Sequence, residues 1–238
     1  MTIIEELSYL TADQIEAIEK LTVRWLFQAI LDFGMEAYEI FANSPDEVKD
    51  VAEDVTREVL DRLSGYNIAQ RVYGTVDYKK ARYIILPEKL VRQALFVDSK
   101  AERSSSTATI QMSQTSLRVR QIRAGGIVDV PGLLPPISIY NSQQYLTTTA
   151  LLHYRYAEEN QHLLRSVTIC CIPNGRLQER YNPNEQVGFW RVGRNAPTRG
   201  EDFRGRISFS ALKRIAAWRV QKILCDPTSN QYIGTWSE

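Results

Sequence analysis

The hydrophobic pattern of this 238-residue chain changes period once, and that change constrains the fold more than any other feature. Up to about residue 65 apolar residues recur at helical spacing; from about residue 69 they recur at strand spacing. The first helix opens on a capping box, Thr11-Ala-Asp-Gln14, followed by a stripe through Ile15, Ile18, Leu21, Trp25, Leu26 and Ile30. A second begins at Ser44-Pro45-Asp46-Glu47, with Ser44 as cap and Pro45 in the first turn. It runs through Val48, Val51, Val55 and Val59 and stops near Gly65. Strand patterns follow in "QRVYGTVDYKKARYIIL" and, after Pro87, "LVRQALFVDSK", then in "TTTALLHYRYAE" and "RSVTICCIP". The Gly/Pro-rich stretch 124–136 reads as a loop or irregular excursion, 174–206 is polar, and a last helix starts near Ser210. Helices, a sheet and a final helix predict an α/β sandwich in one domain over 1–238. Its first part, 1–66, is helical and acidic; 67–238 carries the sheet.

Charge divides along the same line. Residues 1–70 hold 15 of the 28 acidic side chains but 5 of the 29 basic ones, leaving 13 acidic and 24 basic in the rest. Residues 165–222 alone hold 12 Lys/Arg against 4 Asp/Glu, and arginine dominates. Segregated arginine favours a nucleic-acid partner over an evenly solvated surface, because its planar fork fits phosphates and guanine edges. Apolar runs are too short to span a bilayer, and the acidic start MTIIEELSYL lacks the positive region of a secretion signal. Three cysteines, Cys170, Cys171 and Cys225, make neither a disulfide framework nor a zinc pattern. A reducing cytoplasm and no membrane contact are expected.

Chemistry concentrates where "ALFVDSK" leaves its strand. Residues i and i+2 of a strand share a face, so Asp98 and Lys100 project together. Three Asp/Glu-x-Lys tripeptides occur where composition alone yields about one. Glu47-Val48-Lys49 is a helix-start feature. Asp77-Tyr78-Lys79 and Asp98-Ser99-Lys100 follow β-rich stretches, and strands paired through a turn near Pro87-Glu88 would bring Asp77 and Asp98 to one edge. Two carboxylates without histidine or thiolate favour a hard cation such as Mg²⁺, suited to phosphodiester hydrolysis with a lysine on the transition-state charge. Spacing alone leaves a strand-end ion pair equally open. His153 lies in a strand pattern and His162 in a polar turn, and neither belongs to an identifiable triad. There is no P-loop.

Taken with "AEDVTREVL" (52–60), "GTVDYKKARY" (74–83), "RLQERYNPN" (176–184) and "APTRGE" (196–201), these residues give a chain that resembles SfiI-like type II restriction endonucleases. These belong to the PD-(D/E)xK nuclease superfamily. The resemblance implies a mixed central sheet flanked by helices and Mg²⁺-dependent double-strand cleavage at a palindromic DNA site. It also implies a homodimer or homotetramer, within the restriction–modification system of a prokaryotic cell. It places metal-binding carboxylates at Asp77 and Asp98 and the catalytic lysine at Lys100. Val76 stands where the motif has proline. Glu53 is either an auxiliary acid near the metal or a helix-surface glutamate. The stretch 103–147 looks least like the family.

Base reading is expected in "RVGRNAPTRGED" (191–202), with Arg199 first and Arg194 and Asn195 behind it. The alternative is that these side chains grip phosphates, with base reading in 103–123. Two other functions compete: a structure-specific repair or recombination nuclease on the same scaffold, and a non-cleaving DNA-binding regulator.

Overall fold

The computed structural model describes residues 4–43, 51–56, 68–72, 81–86, 91–103, 106–158, 162–192, 203–226, 228 and 231–238. Helix α1 spans Ala12–Asn43. Its capping box forms reciprocally: the Thr11 amide donates to Gln14 Oε1 at 2.8 Å, and the Gln14 amide donates to Thr11 Oγ1 at 3.2 Å. Ile15, Ile18, Leu26 and Ile30 are buried, while Leu21 and Trp25 are half-buried. The second helix, α2, is described over residues 51–56, with Val51 and Val55 in the core. Its cap at Ser44, its positions Val48 and Val59 and its end at Gly65 lie outside the described residues.

Thirteen strands follow among the described residues. They are β1 (Ile68–Val72), β2 (Ala81–Leu86), β3 (Val91–Glu102), β4 (Thr107–Gln111), β5 (Val119–Arg123), β6 (Gly126–Val130) and β7 (Ile137–Tyr140). Then come β8 (Gln143–Glu158), β9 (His162–Ile172), β10 (Trp190–Arg191), β11 (Arg204–Ser208), β12 (Val220–Asp226) and β13 (Gln231–Gly234). A short helix α3 (Gln178–Tyr181) follows β9, and α4 (Phe209–Ile215) follows β11. The main sheet has the order β1-β2-β3-β8-β9-β12-β13, with β7 added alongside β8. Only β3 and β8 run parallel in it, so the sheet is mixed. A small sheet β10-β11-β4 and a β5-β6 hairpin complete the strands.

Two readings of the sequence need correction. Within 124–136, Gly126–Val130 is the strand β6, paired antiparallel with β5 through the two-residue turn Ala124-Gly125. The glycines that suggested irregularity supply a hairpin turn between β-branched flanks, and Gly126 takes φ +114°. His162 is not in a turn: it opens β9 in register with Glu158. Strands β7, β12 and β13 were also unread. The β7–β8 turn is Asn141-Ser142, both at positive φ as a tight hairpin turn requires.

Strand alternation divides the interior. Cys171, Ala150, Leu152, Leu95 and Val97 share one apolar cluster with Val23, Leu26, Phe27 and Ile30 of α1 and with α2. Their neighbours Cys170 and Leu151 belong to a second cluster, built with the small sheet and α4. The first turns of α1, at Ile15 and Ile18, reach that second cluster. All three cysteines are buried free thiols, and burial pushes Cys170 up to about 12, as packing residues behave. No helix among the described residues is long and apolar enough to cross a membrane.

A charged pair is locked between α1 and the sheet. Glu19 and Arg219 are each fully buried, with Arg219 Nη2 donating to Glu19 Oε2 at 2.7 Å. The guanidinium lies over the rings of Tyr181 and Trp218 at 4.3 and 4.2 Å, and Glu19 also accepts from the Asn174 amide at 2.9 Å. Burial pushes the Glu19 carboxyl upward against the pull of Arg219. Burial is the largest influence on Arg219 and works to lower it, but Glu19 together with Cys171 and Tyr181 outweighs it and the net direction is up. The pair joins two elements 200 residues apart. Replacing Arg219 by leucine leaves a buried carboxylate without its partner. We expect a loss of roughly 3–5 kcal/mol in urea unfolding, largely recovered by also replacing Glu19 with leucine.

Candidate active site and nucleic-acid face

β3 builds the site through its own alternation. Leu95 and Val97 are 2% and 5% exposed and sink into the α1 side of the sheet. Asp98 and Lys100 fall on the other face. Their side chains are 21% and 29% exposed, and Lys100 Nζ lies 2.7 Å from Asp98 Oδ2. That oxygen is enclosed and makes no aligned hydrogen bond among the described residues, so charge pairing is what Lys100 offers it. Such an oxygen has a lone pair to give to a cation or a proton. Ser99, between them, is buried on the opposite face.

The expected pairing of the two motif strands is present. β2 and β3 form an antiparallel pair running from Leu86↔Val91, which brackets the expected turn, to Ala81↔Phe96. The first residue of β2 is therefore level with a position two residues before Asp98. Asp77 itself lies outside the described residues. Glu53 sits on α2, whose Val51, Ala52 and Val55 pack with Leu95 and Val97, on the face opposite Asp98 and Lys100.

The parallel partner strand adds residues that the sequence reading did not assign. Asp98 is in register with Leu151, Lys100 with His153 and Glu102 with Arg155. Register partners in parallel strands share a face, so His153 stands beside Lys100. His153 is fully buried; its Nε2 is 3.3 Å from Glu102 Oε2, and the Phe209 ring packs edge-on at 5.4 Å. Glu102 extends the motif to Asp-x-Lys-x-Glu on one strand face, a spacing visible in the sequence.

The small sheet packs Ala108, Ile110, Trp190 and Ile207 into the second cluster and turns the alternate residues outward. On that outer side, Arg191 of β10 pairs with Arg206 of β11, which pairs in turn with Thr109 of β4. Arg191 and Arg206 are exposed, and Arg206 Nε donates to Thr107 Oγ1 at 3.1 Å. Like charges directly opposite across strands destabilise a sheet unless an anion lies between them. Arg204, half-buried and two residues before Arg206, adds a third guanidinium. Arg194, Asn195 and Arg199 belong to the β10–β11 connection and lie outside the described residues.

A mixed sheet with an Asp-x-Lys pair closing its central strand, faced by a basic β-layer, is the architecture of a restriction-endonuclease-like nuclease. Comparison with known proteins agrees. A family model described as "Type II restriction enzyme SfiI" matches residues 31–223. The type II restriction enzyme SfiI of Streptomyces fimbriatus is 33% identical over 230 residues, covering 90% of this chain and 86% of that protein. The crystal structure of tetrameric SfiI bound to cognate DNA superposes with a TM-score of 0.84 at 27% identity, covering 99% and 98% of the two chains. BglI bound to its DNA recognition sequence has the same fold, with a TM-score of 0.71 at 16% identity over 88% of this chain and 90% of that one. The chain belongs to the SfiI family of type II restriction enzymes, which are site-specific deoxyribonucleases. Neither a repair nuclease nor a non-cleaving regulator fits that membership.

Proposed function

We propose that the enzyme cuts both strands of a palindromic DNA site by Mg²⁺-dependent hydrolysis, with Asp77 and Asp98 as metal ligands and Lys100 as the catalytic lysine. The observation that carries this reading is the Asp98–Lys100 pair on one face of β3, with Asp98 Oδ2 enclosed and open to a cation. The donor set fits a hard ion: carboxylate oxygen, with the exposed strand end leaving room for water and phosphate. No cluster of three or more His, Cys, Asp or Glu side chains is spaced to hold a metal among the described residues. The second protein ligand is therefore assigned to Asp77, which the β2–β3 hairpin supports. The chemistry that such an ion supplies is polarisation of the scissile phosphate and a more acidic attacking water. Asp98 binds and orients. Lys100, on the same strand face as Asp98, would direct its ammonium to the phosphate and stabilise the charge that builds there. Glu53, on α2, is either an auxiliary acid of this site or a helix-surface glutamate.

Arg191, Arg204 and Arg206 grip the DNA from the small sheet, and the β10–β11 connection, with Arg199, Arg194 and Asn195, reads bases. The paired Arg191 and Arg206 support the first assignment, since their mutual repulsion is relieved by phosphate. The whole chain works as one domain, in the cytoplasm, as part of a homo-oligomer. Symmetric cuts in a palindrome call for at least two active sites related by a twofold axis, and the likeness to tetrameric SfiI extends this assembly to a tetramer.

Three outcomes test the reading. Asp77→Ala, Asp98→Ala or Lys100→Ala removes plasmid cleavage in Mg²⁺ while leaving binding in Ca²⁺ near the unsubstituted level; normal cutting by either aspartate variant refutes the site. Arg191→Ala leaves thermal stability unchanged or raised and weakens binding to cognate and random DNA alike, lowering the salt slope by about one. Sedimentation of the free protein gives a tetramer mass; a monomer both free and on DNA contradicts the assembly.

A further inference from the structure

The active face of β3 carries one more carboxylate than the scheme above uses. Asp98, Lys100 and Glu102 alternate onto the same side, and Glu102 is the strand's last residue. A strand-end glutamate left in water would sample many rotamers. Here it has a fixed partner: His153 of β8, fully enclosed, with Nε2 3.3 Å from Glu102 Oε2. The other ring nitrogen, Nδ1, is buried without a hydrogen-bond partner among the described residues, so Nε2 is the ring atom that meets Glu102, and a proton there donates to the carboxylate. Phe209 closes the site around the ring from the α4 side. An apolar side chain would fill this place without burying an unpaired nitrogen. The contact with Glu102 is what a histidine adds.

Lys100 explains why that contact matters. Its ammonium rests 2.7 Å from Asp98 Oδ2. To face the phosphate the ammonium would have to leave that oxygen, and it would then need another anion. Glu102 is the other acid of β3, its Cα roughly 6–7 Å further along the strand on the same face, within reach of a lysine side chain. We propose that Glu102 is a positioning residue that takes over the Lys100 ammonium and holds it toward the phosphate, and that His153 fixes Glu102 for this task. The ammonium would exchange Asp98 for Glu102, and the lysine would stay ordered as it faces the phosphate. Glu102 itself transfers no proton and binds no metal. The inference rests on the catalytic reading of Asp98 and Lys100.

The test is single-turnover cleavage of a plasmid that the unsubstituted enzyme cuts into discrete fragments, in saturating Mg²⁺, with binding measured in Ca²⁺. Glu102→Gln and His153→Leu each slow the cleavage step roughly 10–100-fold, as loss of a supporting partner does. Binding in Ca²⁺ stays unchanged. The Glu102→Gln/His153→Leu double variant is no slower than either single one, because both remove the same contact. His153→Gln, which keeps a donor facing Glu102, restores most of the rate, an outcome that mere filling of the cavity would not give. Glu102 is partly exposed, so Glu102→Gln folds and keeps the test open if His153→Leu does not. If Lys100→Ala is inactive while Glu102→Gln cuts at the unsubstituted rate, the positioning role is overturned and the catalytic reading stands. If Lys100→Ala itself cuts normally, both fall.

Discussion

The parallel pairing of β3 with β8 is the contact on which the active face depends. It runs in continuous register from Gln93↔Leu146 to Glu102↔Arg155. A one-residue slip would exchange the faces of every side chain on β3. Leu95 and Val97 would then leave the α1 core, and Asp98 and Lys100 would enter it. Burial of the leucine and valine therefore fixes the orientation of the charged pair, and the same ladder sets His153 beside Lys100. The hydrophobic interior and the placement of the charged pair are two consequences of one register.

The two sides of the sheet do different work. On the α1 side, α1 and α2 cover it with aliphatic side chains, and the buried Glu19–Arg219 pair ties α1 to the strand-preceding turn at residues 217–219. The opposite side receives the small sheet and α4, and it is here that Asp98, Lys100, Glu102 and His153 gather. The outward arginines of the small sheet add positive charge beyond them.

Much of this was legible in the sequence, because local periodicity carries it. The Thr11–Gln14 box, the stripe on α1, the β2–β3 hairpin around Pro87 and the shared face of Asp98 and Lys100 all follow from spacings of four residues or fewer or from adjacent strands. The split of Cys170 and Cys171 across two clusters follows from period two. The parallel β3–β8 ladder did not show, since 40 residues separate Glu102 from Gln143 and no local signal names a non-adjacent partner. His153 consequently read as an ordinary strand residue. Glu19 was hidden for the opposite reason: a charged residue on an apolar stripe is ordinarily solvated, and its partner lies near the other end of the chain. The arginine pair across β10 and β11 needed tertiary register, and the long polar stretch 174–206 masked both strands.

The claim that the even-numbered face of β3 is where the phosphate is cut is tested most directly by locating the metal. Crystals of the enzyme with its DNA and Mn²⁺ in place of Mg²⁺ would show the ion by anomalous scattering. The account predicts a peak about 2.0–2.3 Å from an Asp98 carboxylate oxygen, on the side of the sheet that bears Lys100. A peak bound instead at Glu53 on the α1 side, with Asp98 still paired to Lys100 and distant from the DNA, would contradict it.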